Sequence, residues 1–190
     1  MKRGATVCLI ALLAAAAFPN ALLAKESKAD KERAEIREAS QKILSKLYKV
    51  QPSAKAVIAN AAGYAVFSNF GVKILVAGSG SGKGIAVDNK AKKETFMKMV
   101  EVQAGLGFGV KKFSVVWVFE TTAALDKFVD SGWELGGQTS VAAKAGDKGT
   151  AFQGAIPVSS GVWIYQLTES GLAVELTAKG TKYYRDDDLN

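Results

Sequence analysis

Apolar and polar residues alternate with two different periods along this chain, and the change of period marks its architecture. From Lys25 to Val50 the chain is dense in charge, with apolar residues at Ala29, Ile36, Ala39, Ile43, Leu44 and Leu47. Their spacing is mostly three and four, which predicts an amphipathic helix. Glu38 precedes Lys42 by four residues, the favourable order for a surface ion pair, and Pro52 supplies the stop. Ser53 to Ala62, rich in alanine, predicts a short second helix ending at Gly63.

Beyond Gly63 the period falls to two. Strands are predicted over Gly63–Phe67, Val72–Val87, Glu94–Val110, Phe113–Phe119, Leu135–Ala145 and Val162–Thr168, and a turn at Glu169-Ser170-Gly171 returns the chain as Leu172–Ala178. In Phe113–Phe119 both faces are largely apolar, so this strand belongs in the middle of a sheet covered on two sides. Thr121 or Thr122 caps a helix through about Val129, with Ala124, Leu125 and Phe128 as its apolar face and Ser131-Gly132 as its end. The fold class is α+β: an N-terminal amphipathic helix and a short second helix on a curled, glycine-rich antiparallel β-barrel or sandwich with one inserted helix.

The N-terminus follows neither period. Lys2 and Arg3 precede an apolar stretch from Ala5 to Phe18, shorter than the ~20 residues of a bilayer span, and Ala21 to Ala24 offers small residues for a peptidase. Residues 1–24 read as a cleavable signal peptide, with 25–190 as a single domain, exported to the periplasm or secreted. Cleavage removes two cations and no acid, so the formal charge falls from +7 to +5. It also removes Cys8, the one cysteine, and there is no histidine anywhere. Ser-His-Asp and Cys-His catalysis and thiolate metal sites are thereby excluded, leaving carboxylates, lysines or tyrosines for any chemistry.

Known catalytic spacings are missing too. In Gly78-Ser79-Gly80-Ser81-Gly82-Lys83-Gly84 a phosphate loop would need glycine at Ala77 and a hydroxyl at Gly84, and strand follows where a helix should, so no nucleotide site is predicted. Paired with Gly105-Leu106-Gly107-Phe108-Gly109, this stretch strips alternate positions of two strands bare. Such a face lets a sheet coil tightly. Alternatively it lines a groove for an acyl chain. Asp126 with Asp130, and the run Asp186-Asp187-Asp188, read as helical solubility and a solvated tail, so no metal or cofactor is predicted. Trp133, Trp163, Tyr183 and Tyr184 suit either core packing or a bilayer interface.

Ala62-Gly63-Tyr64-Ala65-Val66-Phe67, the glycines to Gly84, Gln103 to Gly109, Val116-Trp117-Val118-Phe119-Glu120-Thr121 and the closing segment, in this order, resemble the SYLF-domain family. Gly132-Trp133-Glu134 and Gly180 to Asn190 look like its bacterial exported branch. The resemblance implies a lipid-binding domain without catalysis, whose eukaryotic members bind phosphoinositides partly through an N-terminal amphipathic helix and in some cases bind actin. Carried over, the helix role falls on Lys42, Lys46 and Lys49, which share one face, with Ile36, Ile43 and Leu47 behind them. Cations also suit a helix C-terminus on dipole grounds alone. Lys83, Lys111 and Lys112 join the candidate lipid-binding set if the fold brings them near. Ser68 departs from the family, where proline often follows the phenylalanine, and an export signal removes access to cytoplasmic actin. The partner expected is an anionic phospholipid or membrane surface, with no nucleic acid; the alternative is a structural cell-envelope protein that binds another protein or the cell wall.

Overall fold

The computed structural model describes residues 27–74, 77–104, 109–135, 152–169, 171–173 and 180–190. The signal-peptide expectation for 1–24 lies outside them. Helix α1 spans Lys28–Val50 and α2 Ser53–Asn60. Strands β1 (Gly63–Ile74), β2 (Ala77–Asp88), β3 (Glu94–Ala104) and β4 (Gly109–Phe119) follow, then α3 (Thr122–Ser131) and β5 (Trp133–Leu135). The chain closes with β6 (Ile156–Ser159), β7 (Val162–Thr168), β8 (Gly171–Leu172) and β9 (Thr181–Arg185). They form one curled antiparallel sheet, ordered β5-β9-β3-β2-β1-β4-β7-β6, with β8 added to β7. The α+β class, the two leading helices and the inserted helix are all present.

The sheet is buried on both sides because its central strands carry apolar residues at both parities. In β4, Val115 to Phe119 have no exposed surface. Phe67, Met97, Met99, Trp117, Phe119 and Tyr183 face α3, while Val66, Val116, Val118, Trp163, Tyr165 and Leu167 face α1 and α2. On the α3 side Trp117 lies with ring centroids 4.9 Å from Phe128 and 5.0 Å from Tyr183. Trp163 and Tyr183 are therefore core aromatics, not interface anchors. Thr121 caps α3 by accepting from the Ala124 amide at 3.3 Å, and Gly132 ends it at φ 71°, a conformation suited to glycine.

Two strand boundaries differ from the alternation. The predicted strands Gly63–Phe67 and Val72–Val87 are a hairpin that turns between Ile74 and Ala77, and Glu94–Val110 divides into β3 and the start of β4. Neither boundary breaks the apolar pattern: Ile74 to Ala77 is apolar throughout, and glycine alternates from Gly105 to Gly109. The predicted continuations at 136–145 and 174–178 lie outside the described residues.

The glycine stripe of β2 is packed where its neighbours are described. A Cβ on Gly84 would meet the Val66 carbonyl and the Phe67 ring, and one on Gly82 would meet the Ser68 carbonyl and the Met99 side chain. Adjacent strands thus lean over the bare backbone. Between β1 and β3 the Asn69 amide donates to Glu101 at 2.8 Å, spanning the stripe with both residues buried. At this level tight packing, not an open groove, explains the glycines.

The last residues are structural as well, which corrects the solvated-tail reading. Asp186 is 1% exposed and its carboxylate meets Lys98 Nζ at 2.7 Å. The Phe96 amide donates to Asn190 Oδ1 at 2.9 Å, and Asn190 Nδ2 donates to the Phe96 carbonyl at 2.8 Å, as a paired strand residue would. Leu189 packs with Ile36, Ile85 and Phe96, and its carbonyl accepts from Arg33 Nε at 2.8 Å. The end of the chain thereby ties α1 to β3.

Gly84→Val forces a branched side chain against β1 and is expected to cost about 1–3 kcal/mol or more. Urea unfolding checks this, with an unchanged midpoint as the contrary result.

Candidate functional site

Helix α1 begins at Ser27, whose hydroxyl accepts from the Asp30 amide at 3.1 Å, and closes where the Gln51 amide donates to the Leu47 carbonyl at 2.7 Å. Ile36, Ser40 and Leu47 are buried on the sheet. The helix therefore spends its apolar stripe on the core, and Lys42, Lys46 and Lys49 point away from it, all exposed. Together with Glu38, Gln41 and Ser45 they line a shallow depression of about 480 Å³.

The three lysines differ in their surroundings. Lys42 Nζ meets Glu38 at 2.6 Å in the predicted pair, with both side chains well exposed, so this contact is worth little. Lys46 Nζ donates to the Thr168 carbonyl at 2.7 Å, which fixes the side chain across the end of β7, and it has no ion pair among the described residues. Lys49 has no ion pair among the described residues. No acidic residue occurs anywhere between Glu38 and Asp88.

The remaining candidates lie elsewhere. Lys83 pairs with Glu32 near the start of α1, about 25 Å along the helix axis from Lys49. Lys112 is exposed on the sheet, its backbone paired with Phe70. Consecutive strand residues alternate between faces, so Lys111 and Lys112 cannot both lie on the α1 side. The Lys111 side chain is outside the described residues; its backbone pairs with Gly71. Lys92 and Lys93 fall at the β2–β3 hairpin, beside Asn89, whose amide donates to the Ile58 and Ala61 carbonyls at the far end of α2. The depression on α1 thus brings together three of the six lysines.

Two features escaped the sequence reading. Lys55, in the first turn of α2, is exposed and has no ion pair among the described residues. Its place in an alanine-rich segment hid it, although its spacing from Lys49 was visible. Val50 ends α1 with 44% exposure.

Several charges elsewhere are paired. The Asp186 and Asp188 carboxylates hold Lys98 well above its ordinary range, and Lys182 meets Glu134 at 3.2 Å. Arg37 Nε meets Glu94 at 2.7 Å while its guanidinium lies 5.1 Å above the Phe96 ring. Burial raises the Tyr165 phenol to about 12 and Tyr183 further, so both stay neutral. Among the described residues no cluster of three or more acids could hold a metal, and no helix is long and apolar enough to cross a membrane. What the surface offers chemically is positive charge on a rigid support.

The Lys83 ammonium, hydrogen-bonded to Glu32, holds that carboxyl below its ordinary 4.5. A carboxyl whose folded pKa is depressed stabilises the fold above its unfolded value, and the contribution disappears as pH falls through the folded value. Between about pH 5 and 3 the urea midpoint should fall, and Glu32→Gln should make that fall shallower. Parallel curves for wild type and variant would show that the pair contributes nothing.

Comparison with known proteins adds identity to this geometry. Residues 100–190 match the family model described as Ysc84, the Las17-binding protein actin regulator. Among curated proteins, Beta cell expansion factor A of Aeromonas veronii is 37% identical over 147 residues, an alignment covering 77% of this chain and 54% of that protein. The chain spans about half the length of this curated relative.

Proposed function

Because the chain belongs to the SYLF (Ysc84) family, which is linked to lipid binding and actin regulation, we propose that it is an exported, non-catalytic protein that associates with anionic phospholipid surfaces. The observation that carries this reading is the exposed set Lys42, Lys46 and Lys49 on a helix whose apolar face is already buried. A helix bound in this way meets headgroups with charge and keeps its leucines in the core. Each lysine held near an anionic leaflet contributes about 1 kcal/mol, so the contact is peripheral, reversible and sensitive to salt. Export, inferred from Lys2 to Ala24, favours a lipid partner over cytoplasmic actin. The chemistry left without histidine or a mature thiol supports a binding role, and the depression on α1 is too open to shield a reaction from water.

Flotation with vesicles of phosphatidylglycerol and phosphatidylcholine tests the reading. The purified protein should float at low salt, remain at the bottom at high salt, and ignore pure phosphatidylcholine. Lys46→Glu with Lys49→Glu should weaken binding at least tenfold, by the loss of about 1 kcal/mol for each lysine and added repulsion. No flotation at low salt would overturn the proposal and favour an envelope protein with a protein or cell-wall partner, detectable by cross-linking in intact cells.

A further inference from the structure

Three large apolar side chains among the described residues are exposed: Val50 at 44%, Val100 at 39% and Val102 at 69%. Val100 and Val102 lie on β3, and their surroundings are electrically balanced. The Val100 backbone pairs with Lys182, which is matched by Glu134. Lys98, two residues along the same face, is matched by Asp186 and Asp188. Lys83, beside Lys98 in the register, is matched by Glu32. An anionic surface approaching these valines would first have to displace carboxylates.

Val50 has the opposite setting. It ends α1 one turn beyond Lys46, next to Lys49, and Lys55 follows in the first turn of α2. Lys46 is held by the neutral Thr168 carbonyl, with Glu169 the next residue; Lys49 and Lys55 have no ion pair among the described residues, and no acid occurs in the sequence between Glu38 and Asp88. The corner is firmly seated. Leu47 and Ala54, on either side of it, are wholly buried, and Gln51 Nε2 donates to the Ser53 hydroxyl at 2.7 Å. An exposed branched side chain is therefore held at a fixed position among cations, on a bend that the core cannot release without opening.

We infer that the α1–α2 corner is the point at which the protein enters an anionic bilayer, with Val50 passing between headgroups and Lys46, Lys49 and Lys55 engaging lipid phosphates around it. This rests on the lipid-surface reading above and adds to it a location, a penetrating residue and a cation outside the helix. The protein would stand on this corner, with α1 rising from the membrane and not lying flat along it. Charge decides between the two exposed apolar sites: among the described residues, only at the corner does apolar exposure coincide with lysines that have no ion pair. One valine adds little burial energy by itself, so affinity comes from the lysines and depth from Val50.

A probe that reports depth distinguishes this from simple surface adhesion. In the mature protein, residues 25–190, which contains no cysteine of its own, Val50→Cys and, separately, Val102→Cys are labelled with an environment-sensitive fluorophore and mixed with phosphatidylglycerol vesicles bearing a shallow spin-labelled quencher. The Val50 probe should shift to the blue and be quenched, and the Val102 probe should do neither. Lys55→Glu should weaken binding about as much as Lys49→Glu, while Lys90→Glu, at the β2–β3 hairpin, leaves it within twofold. Unchanged urea midpoints show that the variants remain folded, as the exposure of these sites leads one to expect. If the protein floats but the Val50 probe stays in water, or the Val102 probe responds instead, the corner is not the entry point although the lipid reading stands. If wild-type protein does not float, the lipid reading itself fails and this inference falls with it.

Discussion

Leu47 is fully buried in the cluster that holds Val116, Tyr165 and Leu167, and Ile36 sits with Ile85, Phe96 and Leu189. These two contacts, three turns apart on α1, fix the helix to the sheet at both ends. Once they are made, the rotation of the helix is no longer free, and Lys42, Lys46 and Lys49 must face solvent. Fully burying a side chain of this size is worth about 1.5–3 kcal/mol, more than headgroup attraction gives a single lysine. In solution a docked helix with its cations outward is therefore the lower-energy arrangement. An amphipathic stripe is not by itself a membrane anchor.

The sheet supplies the rigidity on which this depends. Its central strands are apolar at both parities, so one layer of backbone separates the aromatic cluster under α3 from the mixed aliphatic and aromatic cluster under α1. The curl that makes room for α3 is obtained by omitting side chains on β2, where Phe67 and Met99 cover Gly84 and Gly82. The same omission brings Asn69 and Glu101 within hydrogen-bonding distance across the stripe. Alternating glycine thus acts here as a bending device.

Most of this architecture was legible in the chain. The change from a period of three and four to two located the helix-to-sheet boundary near Gly63, Thr121 and Gly132 bracketed α3, and the double parity of Phe113–Phe119 placed β4 at the centre. Where the reading failed, the signal was absent for a physical reason. The unbroken apolar run from Ile74 to Ala77 carries no turn residue and hid the β1–β2 hairpin, and β9 lay inside a charged closing segment whose Asp186 looked solvated until its partner, Lys98, was seen 88 residues earlier. For the candidate surface, helical spacing put three lysines together correctly. It could say nothing of Lys83, whose partner Glu32 is distant in sequence, nor of Val50, whose exposure follows from where the corner leaves the sheet.

The central claim is that α1 stays docked when the protein meets an anionic surface. Electron–electron double resonance between spin labels at Gln41 on α1 and Lys182 on β9, recorded with and without phosphatidylglycerol vesicles, tests it most directly. The account predicts the same distance distribution in both conditions. A longer, broader distribution on vesicles would mean that the helix leaves the sheet to bury its leucines in lipid, and would contradict it.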